Sequence, residues 1–153
     1  MNDTKYSYTT DVPISLEQGY ELRIKKLTTT AQVPFKAHDY DAGFDLYADE
    51  DVSMEVSRTV LVSTGIAMEI PKGFVGLIWD RSSMGVKGIH RFAGVIDSGY
   101  RGEVKVCLSN LSYGKQDWPY HHISYNIKRG DRIAQLVVQQ IPLMRVIEVE
   151  EIE

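Results

Sequence analysis

In several stretches of the chain, apolar and polar residues alternate one for one. From Tyr20 onward, Leu22 and Ile24 are separated by Arg23 and Lys25. Between Val60 and Ile70, the residues Val60, Val62, Thr64, Ile66, Met68 and Ile70 fall on one face. Leu61, Ser63, Gly65, Ala67 and Glu69 fall on the other. Val104, Val106 and Leu108 alternate with Glu103, Lys105 and Cys107 in the same way. A period of two is that of a half-buried β-strand, whose side chains point by turns to core and solvent. Two further runs are apolar without alternation. Phe74 to Trp79 is apolar on both faces, as a strand covered on both sides is, and Ile133 to Ile141 reads as another apolar strand or strand pair.

Turn residues separate these runs at Pro71-Lys72-Gly73, Asp97-Ser98-Gly99, Tyr113-Gly114 and Arg129-Gly130-Asp131. Many short strands at this spacing predict an all-β sandwich, jelly roll or small barrel. Helical periodicity is almost absent, and one short helix at most is expected, near Ser82 to Lys87. Residues 1–18 carry little pattern and read as an arm that is loose or packs on a neighbour. Residues 111–129, with Trp118-Pro119-Tyr120-His121-His122, read as an inserted loop or hairpin tip. With 153 residues and no repeat or linker, the chain is expected to form a single domain.

Charge and composition narrow the function. The net charge of −4 gives no basic face of the kind that grips a nucleic-acid backbone, so no polymeric nucleic-acid partner is expected. The single cysteine, Cys107, cannot form an intrachain disulfide, which favours a reducing, cytoplasmic setting. No apolar run approaches the roughly 20 residues of a membrane span. The polar N-terminus lacks the order of a signal peptide.

Four segments are denser in Gly, Asp, Arg and Ser than a plain β scaffold requires. They are Ala42 to Ala48, Arg81 to Gly88, Gly94 to Val104 and Gly130 to Val137. Asp97 follows the apolar Gly94-Val95-Ile96 and precedes a Ser-Gly turn, so a carboxylate stands at a strand end beside backbone that a ligand can approach. The same residues also read as an ordinary hairpin turn with Asp in its turn-forming role. Arg81, Ser82 and Ser83 offer a planar guanidinium, hydroxyls and N–H groups to an anion, or else a serine cap beside an exposed arginine. Gln135 is a polar exception inside an apolar strand. It binds a phosphate, orients a water or bonds to nearby backbone. Asp45, inside a short apolar strand, needs a cation, and Arg132 or Arg81 would serve. His38, His90, His121 and His122 lack metal-ligand spacing and read as surface residues. Cys107 reads as a buried structural thiol. There is no phosphate-binding GxxxxGK[ST] loop.

Taken together and in this order, the four segments resemble motifs one to four of the trimeric dUTPase family, over roughly Leu22 to Leu143. GVIDSGYRGEV and GDRIAQLV are nearly complete matches. The resemblance implies a jelly-roll-like (β-clip) subunit, a homotrimer with sites at its subunit interfaces, and dUTP as substrate. It implies water attack at the α-phosphorus, giving dUMP and pyrophosphate, which keeps uracil out of DNA and supplies dUMP. By motif position, Asp97 activates the water, Tyr100 packs against the deoxyribose and excludes a 2′-hydroxyl, and Gln135 stands beside the α-phosphate and the water. Asp45 supports the site. Arg81, Ser82 and Ser83 contact phosphates. Backbone groups of the Gly94 to Val106 hairpin, namely Gly94, Val95, Ile96, Val104, Lys105 and Val106, read the uracil edge. Mg²⁺ is expected on the triphosphate and water, with no direct protein ligand.

The chain departs from the family pattern in three places. No Gly-rich fifth motif with an Arg and a Phe, the lid of the family, follows the last strand pattern. Residues 111–129 are extra, and Trp79-Asp80 precede Arg81. A missing lid lets water in and predicts weakened turnover with retained binding. Two other readings follow. A dCTP deaminase, of related fold, uses a glutamate where Cys107 stands here. A dUTPase-fold binding protein would have little activity.

Overall fold

The computed structural model describes residues 19–112 and 124–152. In chain order its elements are β1 (Arg23–Lys26), β2 (Phe44–Tyr47), β3 (Val52–Met54), β4 (Thr59–Glu69), β5 (Phe74–Trp79), α1 (Ser82–Gly85), β6 (Ile89–Phe92), β7 (Val95–Asp97), β8 (Glu103–Asn110), β9 (Tyr125–Ile127) and β10 (Arg132–Gln140). One four-stranded sheet has the order β1-β4-β8-β6, a second has the order β2-β10-β5-β7, and β3 pairs with β9. Every pairing is antiparallel. The result is an all-β, jelly-roll-like fold whose core lies between the two larger sheets.

The alternating runs supply that core. Val62, Thr64, Ile66 and Met68 of β4 and Val104, Val106 and Leu108 of β8 are buried, and they meet Leu46, Ile78 and Leu136 of the other sheet. The small β3–β9 sheet adds Met54 and Ile127 to the same core. Facing apolar layers of this kind are the main favourable term in the fold, each large side chain contributing about 1.5–3 kcal/mol.

Four expectations change. The expected cover on both faces of Phe74–Trp79 is incomplete: Gly76 and Ile78 are buried, but Val75 and Leu77 are only half-buried and Trp79 is 49% exposed. Among the described residues the chain lays no second sheet over that outer face. The stretch 111–129 contains a strand, β9, because Tyr125 and Ile127 pack toward the core. Cys107 is half-buried, since it points to the outer face of β8 with Glu103 and Lys105. The Gly94–Val106 segment is not a paired hairpin: β7 pairs with β5, and β8 with β4 and β6. Residues 1–18, Tyr113-Gly114 and Trp118 to His122 lie outside the described residues.

A bulge in β4 ties the loops together. Between Ser63 and Ala67 the pairing to β8 slips, and Gly65 takes φ +64°. The Glu103 carboxylate accepts from the Ser63 hydroxyl and, at 3.0 Å, from the Gly65 N–H. The Gly65 carbonyl accepts from Leu27 N–H at 2.7 Å, and the Ser63 carbonyl from Asp49 N–H at 2.8 Å. Asp49 is buried and accepts from the Thr28 hydroxyl at 2.5 Å. A Cβ on Gly65 would run into the Asp49 carboxylate and come within 2.9 Å of the Ala31 methyl. Gly65→Ala is therefore expected to destabilise the fold by about 2–4 kcal/mol, the sum of a left-handed backbone and a crowded contact. Urea denaturation checks this, and equal midpoints would contradict it.

Two of these carboxylates also set the acid stability. Burial opposes ionisation of Asp49, but the Thr28 and Thr30 hydroxyls and the charges of Arg129 and Lys26 outweigh it, so its pKa is lowered. Burial likewise opposes ionisation of Glu103, and Ser63, Gly65 N–H and Lys105 outweigh it. A carboxylate with a depressed folded pKa stabilises the fold above its unfolded pKa, about 4, and loses that contribution as pH falls through the folded value. Stability is expected to hold down to about pH 5 and to fall steeply below about pH 4. Glu103→Gln should flatten that acid limb in thermal melts recorded against pH, and an unchanged limb would remove Glu103 from the account.

Candidate active site

In the second sheet, Asp45 of β2, Gln135 of β10 and Trp79 of β5 stand directly opposite one another across three strands. Cross-strand partners share a face, and here it is the face turned away from the core. Arg132 would point inward by simple alternation from Gln135. The pairing of β10 with β2 slips between Arg132 and Ala134, and this one-residue bulge turns Arg132 outward while Ile133 and Ala134 both stay buried. Arg132 Nη1 then reaches Asp45 Oδ2 at 3.2 Å.

Arg81 reaches the same carboxylate from the other side. It lies two residues past the β5 end, as the N-cap of α1, and its Nε lies 2.7 Å from Asp45 Oδ1. Its Nη1 donates to Ser83 Oγ at 3.3 Å. Ser82 and Ser83 are exposed, and neither caps the helix through its side chain. Both cations considered for Asp45 are thus in place, and each carboxylate oxygen is bonded to one of them. Gln135 Nε2 donates to the Asp80 carbonyl at 2.8 Å, so the amide is half-buried with its oxygen toward Gly43. Asp45, Arg81, Ser82, Ser83, Arg132 and Gln135 line one cleft of about 460 Å³. Paired guanidiniums, hydroxyls and a helical turn make a seat for a multiply charged oxyanion.

Asp97 and Tyr100 do not line this cleft. Asp97 is paired with Val75, while Gln135 is paired with Trp79, four residues along β5. At ~3.4 Å per residue and ~4.8 Å per strand, about 17 Å separates the backbones of Asp97 and Gln135 on the same outer face. The turn that carries Asp97 is well fixed. Tyr100 N–H donates to the Asp97 carbonyl at 3.0 Å, and the Tyr100 hydroxyl donates to the Glu103 carbonyl at 2.9 Å. This holds the ring over Gly102, where a Cβ would come within 2.6 Å of the hydroxyl oxygen.

The strands flanking the turn part from each other. β6 ends opposite Cys107, so Glu103 to Val106 pair with β4 alone, and Val95 to Asp97 pair with β5 alone. Two open backbone edges therefore flank the turn among the described strands. Val104 and Val106 bury their side chains and Lys105 is exposed, so this stretch offers backbone groups rather than side chains to a ligand. Gly94 lies against β5: its carbonyl accepts from Ile78 N–H at 2.8 Å, and a Cβ there would sit 3.0 Å from the Ile78 oxygen.

A dUTPase family model matches residues 29–153. The chain belongs to the dUTPase family. It is 43% identical over 131 residues to the deoxyuridine 5′-triphosphate nucleotidohydrolase of Mycolicibacterium gilvum, covering 84% of this chain and 80% of that one. Among solved structures it is similar to a mutant dUTPase of Staphylococcus bacteriophage 80alpha with dUpNHpp, with TM-score 0.79, 31% identity and coverage of 88% and 91%. It is also similar to a mutant dUTPase from phage phi11 of S. aureus, with TM-score 0.78, 28% identity and coverage of 86% and 98%; that protein coordinates a structural Mg(II) ion.

Several residues of this dUTPase cleft were not singled out by sequence. Phe35, 61% exposed, lines it because its carbonyl holds the Asp45 N–H at 2.8 Å. Gly43 forms its floor beside Gln135. Arg132 stood only as a possible partner for Asp45. The signal for Gly43 was its place in AGFD, and the signal for Arg132 was its place after a Gly-Asp turn. Phe35 carried none. A Cβ on Gly43 would come within 2.8 Å of Gln135 Oε1 and 3.2 Å of Gln135 Cβ. Gly43→Ala is expected to displace the amide and lower dUTPase turnover about tenfold while the melting temperature barely changes. Turnover equal to that of the unsubstituted chain would show that the amide's place does not matter.

Proposed function

We propose that this dUTPase hydrolyses dUTP to dUMP and pyrophosphate in sites shared between the subunits of a homotrimer. The triphosphate sits in the Asp45–Arg81–Arg132 cleft of one copy. The uracil and deoxyribose sit on the Gly94–Val106 segment of another. The observation that carries this reading is the backbone separation of about 17 Å between Asp97 and Gln135 within one chain. A single water cannot touch both, so a site using both must draw on two copies.

Further features support assembly. Trp79, Leu77, Val75 and Val95 leave an apolar outer face on the second sheet, with Val95 68% exposed. Beyond β10, Leu143, Met144, Val146, Ile147, Val149 and Ile152 are also exposed. Apolar groups left open in this number suit burial against other copies. No helix among the described residues is long and apolar enough to cross a membrane. The lone Cys107 suits a reducing, cytoplasmic setting.

The chemistry follows from charge and placement. Arg81 and Arg132 neutralise the phosphates and Ser83 helps to orient them, so that the α-phosphorus is presented to a water. Asp97 is the general base for that water, and Gln135 orients it from the opposite copy. Tyr100, held by the Glu103 carbonyl, walls off the sugar where a 2′-hydroxyl would go. The open backbone edges beside the turn read the uracil. Mg²⁺ fits this donor set as a companion of the nucleotide. Both oxygens of Asp45 are bonded to arginines, and no three His, Cys, Asp or Glu among the described residues come together as a cage. When bound, the ion supplies further neutralisation of the triphosphate.

Two measurements test this. Pyrophosphate release from dUTP should far exceed release from dCTP, dTTP and UTP; the absence of release with dUpNHpp still bound would favour a binding protein instead. Asp97→Asn and Arg81→Ala should each be nearly inactive alone. Refolded together in equal amounts, they should regain about a quarter of the wild-type sites, because each shared site needs one intact residue from each copy. No recovery on mixing would mean that each site is built within one chain.

A further inference from the structure

Asp80 stands where the segment departs from the family pattern, between the β5 end and Arg81, and it makes three bonds at once. Its backbone carbonyl accepts from Gln135 Nε2 at 2.8 Å. Its Oδ1 accepts from the Arg91 N–H at 2.8 Å, and its Oδ2 lies 2.5 Å from His90 Nδ1. His90 and Arg91 belong to β6, which is paired with β8 of the first sheet. The carboxylate therefore ties the loop after β5 to the opposite sheet. Beside it, the Arg91 guanidinium stacks 4.8 Å from the Trp79 ring centre and donates to the Ala93 carbonyl at 2.6 Å, which fixes the residue on the other side of Asp80.

We infer that Asp80 is a positioning residue for dUTP hydrolysis, acting through Gln135. The inference rests on the role proposed above for that glutamine. A carbonyl only accepts, so its bond to Gln135 settles which end of the amide faces it. The NH₂ end turns to Asp80, and Oε1 is left toward Gly43 and the cleft. An amide oxygen in the cleft accepts from a water, whereas it would repel a phosphate oxygen. The Asp80 carbonyl thus selects the orientation in which Gln135 holds the attacking water, and the Asp80 carboxylate keeps that carbonyl in place. Arg81 has its own anchor on Asp45, so nucleotide binding does not depend on this tie.

The test is a double-mutant cycle on the full chain, read as kcat and KM for pyrophosphate release, with dUpNHpp affinity and melting temperature measured alongside. Gln135→Ala is expected to lower kcat about 100-fold. Asp80→Ala should lower kcat about tenfold, with KM and dUpNHpp affinity within about threefold of wild type. In the Gln135→Ala background, Asp80→Ala should have no further effect. Asp80→Asn should stay within about threefold of wild type, because its amide oxygen still accepts from Arg91 and its NH₂ can donate to His90. If Asp80→Ala does not fold, Asp80→Ser, too short to span His90 and Arg91 together, replaces it under the same criteria. A kcat for Asp80→Ala equal to wild type, or an equal loss in both backgrounds, overturns the proposal alone. Unchanged turnover in Gln135→Ala overturns the reading of the glutamine and this proposal with it.

Discussion

The cleft depends on one carboxylate shared by two guanidiniums. Arg81 and Arg132 come from distant parts of the chain and would repel each other if both faced an empty cleft. Asp45 in turn is four-fifths shielded from water and would be costly to keep ionised without a cation. Each group makes the others tenable. The carboxylate orients both forks, so the cationic surface is in place before an anion arrives and little reorganisation is needed on binding. Much nearby backbone serves this arrangement. The β10 bulge turns Arg132 outward, and the Phe35 carbonyl holds the Asp45 N–H.

β5 spaces the remaining candidate groups along its length. One end, at Trp79, is level with Gln135 and Asp45. The other, at Val75, is level with Asp97. The sheet is stiff on the scale of the site, so these two groups cannot be brought together by a side-chain movement. With that separation fixed, the proposed shared site needs a second copy, and the outer apolar face and the exposed residues after β10 are the surfaces it would cover. The same rigidity gives the Asp80 tie its meaning: the loop after β5 is joined to β6 of the first sheet, so the Trp79 end of β5 is braced across both layers.

The fold class was legible in the sequence because alternation is a local property. Val60 to Ile70 and Val104 to Leu108 declare their inner faces by alternation, and the structure buries those faces, with Val60 half-buried and the β4 bulge burying Gly65 and Ala67 as well. The dUTPase motifs were legible for a related reason. Each is a short contiguous stretch in which Gly, Asp, Arg and Ser stand at the spacing that a turn beside a strand requires. β9 was not legible, because three residues with one buried isoleucine and one tyrosine carry too little pattern to separate from a loop. The hairpin around Asp97 was misread because a turn looks the same whether the strands beside it pair with each other or with different sheets.

The sequence by itself therefore determined the family, the candidate residues for binding and hydrolysing a nucleoside triphosphate, and the all-β, jelly-roll-like class of the scaffold that carries them. Only the tertiary structure decided which of them meet. Asp45 takes both arginines because a one-residue bulge reverses the side of Arg132. Gln135 presents its oxygen because Asp80 offers a carbonyl. Asp97 stays remote because register, set by hydrogen bonds across strands far apart in the chain, places it at the wrong end of β5. Register and bulges are properties of paired strands, and no single strand's sequence contains them.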